Sequence, residues 1–321
     1  MKNTSEMMQW ADEYLSSHHY TITKPSEIVQ KMPWSSVTRF STNKGFVYLK
    51  QTPPALSLEP AITKILYDKL HANVPLVIAS NEAHHCFLMK DDGSPLRETL
   101  KRHFDADLLC QAIKIYTDIQ CASIEHINLF LEIGVPDWRL SKLPILYTQL
   151  IQDEKLLIED GITTDELNAL HQLQPKFKNL CEELSEYKIP ESLDHCDFHD
   201  NNVLIDSDTN KITIIDLGET VISHPFFSLI NCLRNAMFRY SLKITDKSYR
   251  DIKDSCLERW LGLDNKMHLL DAFSLAEKLW FIYGTLGEYR LMISCDPKGF
   301  QSLGRKGRLI IGLKEFIKYF P

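Results

Sequence analysis

Two short apolar runs with polar residues at their ends constrain this chain more than any other stretch. The runs cover residues 202–206 and 211–216, are rich in β-branched residues, and are separated by four turn-forming residues. This pattern predicts a β-hairpin. Because a hairpin returns its two ends to the same side, Asp197, Asn202 and Asp216 are expected to converge. Convergent carboxylate and amide oxygens suit a hard cation such as magnesium.

The spacing of these polar residues matches a known pair of loops. His195, Asp197 and Asn202 form the pattern HxDxxxxN, and the second run ends in Asp216-Leu-Gly218. A single residue of this kind in a loop is usually a turn former. Three matched spacings followed by Asp-x-Gly instead resemble the catalytic and metal-binding loops of kinases. The form is that of the aminoglycoside phosphotransferase and choline kinase-like family.

Two positions depart from this family's pattern. Cys196 replaces the usual glycine of the loop, whereas the family's second histidine is kept as His199. Ser228 stands where many members carry an aspartate. Because of the second departure, one hydrogen bond that braces the family's catalytic loop is in question. The catalytic groups themselves are not affected.

The resemblance implies an α+β, two-lobed protein-kinase-like fold. Residues 1–90 are expected to form a nucleotide-binding lobe with a small antiparallel sheet and one main helix. Residues 91–321 are expected to form a larger, mostly helical lobe that carries the catalytic hairpin and binds the acceptor. A chain of 321 residues exceeds the usual size of a single core, which agrees with two lobes.

Periodicity places the elements of the first lobe. Helical spacing predicts helices, and alternating or β-branched runs predict strands. The expected helices are 5–17 and 57–71, and the expected strands are 27–32, 36–41, 45–50, 74–79 and 86–89. The turn-rich residues 90–95 suit a hinge between the lobes.

Lys50 is the candidate phosphate-binding lysine. It ends the run Val47-Tyr-Leu-Lys50, which resembles the Val-Ala-Ile-Lys strand of kinases. A lysine at a strand end can also simply face solvent. Glu59, at the start of the next helix, corresponds to the glutamate that pairs with this lysine. An acidic residue there also favours the helix dipole on its own.

The resemblance supplies the other nucleotide contacts. No GxGxxG loop is present, so the candidates for phosphate contact are Ser35 and Ser36. The backbone of Phe87, Leu88, Met89 and Lys90 is expected to hold the adenine. The implied cofactors are ATP, with GTP also possible, and Mg²⁺ held by Asn202 and Asp216.

The implied reaction is transfer of the γ-phosphate to a hydroxyl group. Asp197 is expected to orient this hydroxyl and accept its proton. His195 is expected to brace the loop, with His199 as a further catalytic-loop residue. Glu219 is expected to assist at the metal or at the acceptor.

Most of the second lobe is predicted to be helical. A helical stripe begins near residue 105, and Thr163 with Glu166 has the capping-box spacing ahead of a helix to about residue 187. Further helices are expected at 226–242, 247–261, 264–293 and 304–319. By family analogy they form the acceptor wall, with Trp280, Tyr283 and Glu288 as candidate contacts. Aromatic residues at helical spacing are more often core residues.

The sequence suggests a small acceptor. Only eight residues separate Asp216 from Pro225, too few for the long activation segment of protein kinases. The net charge of −7 and pI near 6.0 give no electrostatic case for nucleic acid or an anionic membrane. They mildly favour an acceptor that carries an amine, such as an aminoglycoside-like compound or another amino alcohol or sugar metabolite. Nothing in the sequence indicates an oligomeric state.

Cysteine usage and hydropathy are typical of a cytoplasmic protein. The eight cysteines form no CxxC pair, which excludes the usual structural zinc patterns. No secretory signal or membrane span is predicted. A catalytically silent nucleotide-binding protein is the alternative interpretation. The presence of Lys50, Asp197 and Asp216 favours the enzyme.

Overall fold

A five-stranded antiparallel sheet with two helices forms the first part of the chain. The computed structural model describes residues 4–296, 299–300 and 302–320. The first elements are α1 (Thr4–Ser17), β1 (Glu27–Met32), β2 (Ser35–Thr42), β3 (Gly45–Gln51), α2 (Glu59–Asp68), β4 (Val77–Asn81) and β5 (Cys86–Lys90). The strand order is β1-β2-β3-β5-β4. The small antiparallel sheet with one main helix between its strands was predicted from sequence.

The two faces of this sheet have different partners because side chains alternate along each strand. One face presents Phe40, Val47, Leu49 and Leu88, which are buried against α1. The opposite face presents Lys50, whose cross-strand partners are Val37 on β2 and Phe87 on β5. The sheet therefore directs Lys50 towards α2 and the rest of the molecule.

A short strand joins the sheet to the catalytic hairpin. After β5 the chain passes Gly93 and enters β6 (Ser94–Pro95), which pairs with β8 (Val203–Ile205); β8 in turn pairs with β9 (Ile212–Ile214). Gly93 has φ +114°, and a Cβ there would collide with the Ile205 carbonyl. The predicted hairpin is confirmed, but β6 was not predicted because two residues carry no periodicity.

The remainder of the chain is mostly helical, as predicted. Its helices are α3 (Leu96–Arg102), α4 (Ala106–Ser123), α5 (Ile127–Glu132), α6 (Leu143–Gln152), α7 (Glu154–Asp160), α8 (Thr164–Gln172), α9 (Gln174–Ser185), α10 (Phe226–Tyr240), α11 (Lys247–Glu258), α12 (Lys266–Ser294) and α13 (Leu309–Tyr319). Strands β7 (Ser192–Asp194) and β10 (Val221–Ser223) form an antiparallel pair. None of the helices in the described part of the chain has the length and apolar character that a membrane crossing requires.

Several predicted boundaries were wrong. The single helix predicted from Thr163 to residue 187 is two helices that break at Leu173, because Pro175 has no N–H and fits only a first helical turn. The capping box at Thr163 is present. The strand predicted at 74–79 begins at Val77, since Pro75 lacks a ladder donor. The helix predicted at 57–71 covers only Glu59–Asp68.

Candidate active site

Lys50 links the sheet, α2 and the end of the catalytic hairpin. Its Nζ lies 2.8 Å from Glu59 Oε1 and 2.5 Å from Asp216 Oδ1. Lys50 and Glu59 are only 4% and 3% exposed, whereas the Asp216 side chain is 38% exposed. Lys50 therefore does not face solvent, and the partly open carboxylate of Asp216 marks the side from which a ligand can approach.

The charges of this cluster stabilise one another. Burial works against the charged form of Lys50, but Asp216 and Glu59 outweigh it and raise the pKa of the ammonium. Burial would likewise raise the pKa of Asp216, yet the Lys50 ammonium holds it below its ordinary value. Lysine and carboxylate therefore stay ionised at neutral pH, as phosphate and cation binding require.

The backbone around Asp216 explains why the Asp-x-Gly spacing matters. Asp216 has φ +66° and ψ +51°, in the left-handed region, and a short 3₁₀ turn follows it. A Cβ at Gly218 would lie 3.2 Å from Glu59 Oε2. The small residue lets the turn approach Glu59, so the motif brings α2 and the hairpin end together.

Asp197 is the exposed carboxylate of the catalytic loop. Its side chain is 48% exposed, and its Oδ2 lies 3.4 Å from His199 Nε2. The Asn202 side-chain amide donates to the Asp197 carbonyl at 2.9 Å and approaches Oδ2 at 3.3 Å. On the other side, Asn231 Nδ2 lies 3.5 Å from Asp197 Oδ1. The carboxylate is thus held by neutral donors while one side stays open.

His195 anchors this loop to the hairpin. It is fully buried, and its Nε2–H donates to the carbonyl of Ile215 at 2.8 Å, which fixes the tautomer. Its backbone N–H donates to the Tyr116 hydroxyl at 2.9 Å. Burial lowers the pKa of His195, so the imidazole stays neutral. These contacts suit the bracing role predicted for it.

Asp194 supplies the carboxylate that holds this loop, in place of the aspartate that is absent at position 228. The Ser228 hydroxyl donates to Asp194 Oδ1 at 2.6 Å, and the Ser228 N–H donates to Oδ2 at 3.1 Å. The Cys196 N–H donates to Asp194 at 3.2 Å, and the Tyr283 hydroxyl also donates to this carboxylate. The carboxylate comes from the strand before the loop instead of from α10.

Two features around this brace were not expected. Cys196, which stands at the family's glycine position, has φ +64°, in the left-handed region that favours glycine. Burial raises the pKa of Asp194 to about 6, while hydrogen bonds from Ser228 and Tyr283 counteract the effect. No sequence motif marks Asp194, because its partners lie on α10 and α12.

The proposed magnesium ligands fit the ion by their chemistry. Asn202 is buried, and its Nδ2 is engaged with Asp197, so its Oδ1 is the atom left for a cation. Asp216 contributes a partly exposed carboxylate. Mg²⁺ usually takes one or two protein oxygens together with phosphates and water, so two ligands are sufficient. Among the described residues there is no cluster of three or more acidic, cysteine or histidine ligands.

The predicted nucleotide contacts occupy different environments. Ser35 is buried and accepts from Gln30 at 3.3 Å, and it shares the sheet face of Lys50, whereas Ser36 projects to the other face. Phe87 and Leu88 are buried, but Leu88 faces α1. These positions leave the individual nucleotide contacts as predictions.

At the end of β5, next to the predicted hinge, one backbone N–H is already hydrogen-bonded and one side chain lies on the same sheet face as Lys50. The Lys90 N–H already donates to the Leu76 carbonyl at 3.1 Å. Met89 is half-buried and lies opposite Tyr48, on the same face as Lys50. Tyr48, which sequence reasoning did not single out, therefore lines this face beside the lysine.

A cavity of about 430 Å³ opens beside Asp197. Its lining includes Cys196 and Asp197 of the loop before β8 and Glu219 of the turn after Asp216, together with residues of α10, α12, α13 and the β1–β2 turn. The cavity joins the carboxylate of Asp197 to the helices that were expected to form the acceptor wall.

The predicted acceptor residues line this cavity but already have partners. Tyr283 is buried, and its hydroxyl contacts Asp194. Glu288 binds Arg305 through two contacts, one of them 2.9 Å. Trp280 lies under the Arg234 guanidinium at 4.4 Å. Sequence reasoning missed Arg234, Arg305 and Trp34, because segments far apart in the chain bring them here.

Glu219 carries a strongly shifted carboxyl group. Burial, followed by the negative charges of Asp197 and Asp216, raises its pKa from an ordinary 4.5 to about 8. The Arg290 guanidinium donates to its backbone carbonyl at 2.9 Å. Glu219 therefore holds a proton at neutral pH in the free protein.

This shift predicts a pH-dependent stability. Between pH 4.5 and 8 the folded chain binds a proton that the unfolded chain releases, so the stabilisation is full below pH 4.5 and is lost as the pH rises through 8. Glu219→Gln should flatten the decline in unfolding free energy between pH 5 and 9. Urea denaturation of both proteins measures this, with the exposed Glu132→Gln as control. Parallel curves for wild type and Glu219→Gln would contradict the assignment.

Comparisons with known proteins agree with this geometry. Residues 34–249 match the model of the phosphotransferase enzyme family. The chain matches none of the curated proteins with which it was compared. Among solved structures, it resembles the GDP complex of wild-type aminoglycoside 2'-phosphotransferase-IIIa at 14% identity, with a TM-score of 0.62 and 98% and 99% of the two chains covered.

A choline kinase and an ethanolamine kinase also share the fold. Choline kinase LicA from Streptococcus pneumoniae is 11% identical, with a TM-score of 0.60 and 97% and 100% of the two chains covered. Plasmodium vivax ethanolamine kinase is 17% identical, with a TM-score of 0.58 and 86% and 84% covered. The predicted α+β, kinase-like fold is confirmed by these neighbours. Since the family model covers more than half of the sequence, the chain belongs to the phosphotransferase enzyme family.

Proposed function

We propose that the protein transfers the γ-phosphate of ATP or GTP to a hydroxyl of a small molecule. The observation that carries this proposal is the position of Asp197. Its open carboxylate faces a cavity large enough for a small acceptor, while Asn202 links it to the hairpin that ends at the Lys50–Asp216 pair. Acceptor and phosphate groups therefore have adjoining sites.

In this proposal the phosphates bind where Lys50 and Asp216 meet. The Lys50 ammonium neutralises phosphate charge, and Glu59 holds it in place at 2.8 Å. Asn202 and Asp216 would hold Mg²⁺, which when bound neutralises charge on the nucleotide phosphates. Ser35 and the backbone near Met89 are the remaining nucleotide contacts that we propose.

Asp197 orients the acceptor hydroxyl and takes its proton. The hydroxyl oxygen forms a bond to the γ-phosphorus, the bond from that phosphorus to the bridging oxygen breaks, and the nucleoside diphosphate leaves with the electron pair. His199, 3.4 Å from Asp197, helps to fix the carboxylate. His195 holds the loop against the hairpin through its hydrogen bond to the Ile215 carbonyl.

The size of the cavity supports a small acceptor. About 430 Å³ accommodates an amino alcohol or a sugar, and the segment from Asp216 to Pro225 is too short to dock a peptide. The resembled proteins are named for aminoglycosides, choline and ethanolamine, which all carry hydroxyl groups. An aminoglycoside-like compound or another amino alcohol or sugar metabolite is the acceptor class that we propose.

Two measurements test this function. Thermal shifts with ATP and GTP, each with and without magnesium, should show magnesium-dependent stabilisation. Nucleoside diphosphate release across a panel of aminoglycosides, amino alcohols and sugars should then identify an acceptor. Magnesium-independent binding without transfer to any acceptor would favour the catalytically silent alternative.

Replacing Lys50 tests the nucleotide site directly. Lys50→Met should weaken ATP binding about 10- to 100-fold, because it removes a charge-assisted contact to phosphate. It also leaves buried Glu59 unpaired, so the double variant Lys50→Met/Glu59→Gln separates lost binding from lost stability. Isothermal titration measures the affinity, with exposed Lys44→Met as control. Unchanged ATP affinity in a folded Lys50→Met protein would refute the role.

A further inference from the structure

The wall of the acceptor cavity carries an arginine without an anionic partner. Arg234, on α10, stacks over Trp280 at 4.4 Å and Phe281 at 5.2 Å. Across residues 4–296, 299–300 and 302–320 it forms no ion pair. By contrast, Arg305 in the same cavity is held by Glu288. Arg234 is therefore an exposed cation of the cavity lining, on which Glu277 and Glu315 act without forming an ion pair.

The carboxylates around Arg234 are engaged elsewhere. Glu277 pairs with Lys253 at 3.7 Å, and Glu315 pairs with Lys318 at 2.7 Å. Glu219 and Asp197 also line the cavity, but they lie at its catalytic-loop end. Arg308 is exposed and adds a second positive charge to the lining. The cavity lining thus carries the positive charges of Arg234 and Arg308 in addition to the carboxyl groups of Asp197 and Glu219.

The stacking prepares Arg234 to bind an anion. The guanidinium carbon lies over the Trp280 ring in a cation–π contact, and the planar group carries N–H donors that can bind a carboxylate or phosphate. The same stacking covers one face of Trp280, which reduces the room for a cationic acceptor group there. Partial desolvation lowers the pKa of the exposed Arg234, and the charges of Glu277 and Glu315 counteract this shift, so the guanidinium remains charged.

The helix sets the distance between this cation and the catalytic loop. Asn231 lies three residues before Arg234 on α10 and contacts Asp197 and the Phe198 carbonyl. Residues three apart on a helix share a face, with about 5–6 Å between their Cβ atoms. A small acceptor with its hydroxyl at Asp197 therefore extends towards Arg234.

We propose that the acceptor carries an anionic group, a carboxylate or a phosphate, which Arg234 binds while the hydroxyl faces Asp197. This proposal rests on the proposed function, and it narrows the acceptor class to hydroxylated anions. The amine favoured by overall charge alone is then not the feature that selects the acceptor.

The test compares matched anionic and neutral hydroxyl compounds. The probes are gluconate with sorbitol, glycerate with glycerol, and glycerol 3-phosphate, each titrated calorimetrically without nucleotide. At least one anion should bind ten or more times more tightly than its neutral counterpart. Glycerate and glycerol 3-phosphate distinguish carboxylate from phosphate recognition. Because nucleotide is absent, anion binding is judged separately from phosphoryl transfer.

Variants of α10 assign the effect to Arg234. Arg234→Met keeps an apolar contact with Trp280 but removes the guanidinium, and should weaken the preferred anion about 10- to 100-fold. Arg234→Lys should retain part of the affinity, and exposed Arg239→Met on the same helix should retain all of it. Equal binding of anions and neutral partners, including no binding by any anion, would overturn the proposal. Unchanged anion affinity in folded Arg234→Met would also overturn it.

Discussion

Asp197→Asn should lower kcat about 10²- to 10⁴-fold, the usual contribution of a positioned general base. Asparagine keeps the size of the side chain, the Asn202 contact with the backbone carbonyl and one acceptor oxygen for Asn202 or Asn231, but it cannot take the proton of the acceptor hydroxyl. Nucleotide affinity should change little, because Lys50 and Asp216 form the phosphate site in the proposed mechanism.

The informative result is a lower kcat without a matching loss of nucleotide affinity. Nucleoside diphosphate release with the acceptor found in the panel gives kcat, and calorimetry gives nucleotide affinity. Asp208→Asn, an exposed change in the turn of the hairpin, is the matched control. Full turnover in Asp197→Asn, or an equal loss in Asp208→Asn, would remove Asp197 from its catalytic role.

Asp194→Ala should lower the unfolding free energy by about 3 kcal/mol or more, since it leaves several buried donors without an acceptor. Those donors are the Ser228 N–H and the Ser228 and Tyr283 hydroxyls, whereas the Cys196 N–H keeps the Ser228 Oγ as an acceptor at 3.1 Å. Ser228→Ala removes only one donor and should cost less. Urea denaturation measures both variants.

An exchange of the two residues gives the stricter test of this brace. Asp194→Ser with Ser228→Asp returns a carboxylate to the buried site from the opposite side. This double variant should recover part of the stability and activity that Asp194→Ala loses. Asp194→Ala with wild-type stability would show that the buried carboxylate does not hold the loop.

Local patterns in the sequence were enough to predict much of the fold and the centre of the site. The hairpin followed from β-branched runs around a turn, and its polar ends matched HxDxxxxN and Asp-x-Gly. The Lys50–Glu59 contact was expected from the resemblance to the lysine–glutamate pair of kinases, and it is present at 2.8 Å. Strong short-range signals therefore located the elements that carry the proposed chemistry.

Features that depend on tertiary packing were not predictable. Asp194 meets Ser228 and Tyr283 across 34 and 89 residues, and no local pattern specifies such partners. Trp34 reaches the acceptor cavity from the β1–β2 turn, where Arg305 stacks over it at 5.0 Å. The break at Leu173 was visible in Pro175, but the surrounding helical periodicity concealed it.

The brace between Asp194 and Ser228 also changes how a missing aspartate at position 228 is interpreted. If position 228 is considered alone, Ser228 is a missing acidic residue and suggests an enzyme that has lost its activity. In the folded chain, Asp194 at the end of a strand supplies the carboxylate that is missing from position 228 at the start of a helix. This carboxylate occupies the buried site beside Cys196. The two positions behave as one compensated unit, so the substitution at 228 is no argument that this chain has lost catalysis.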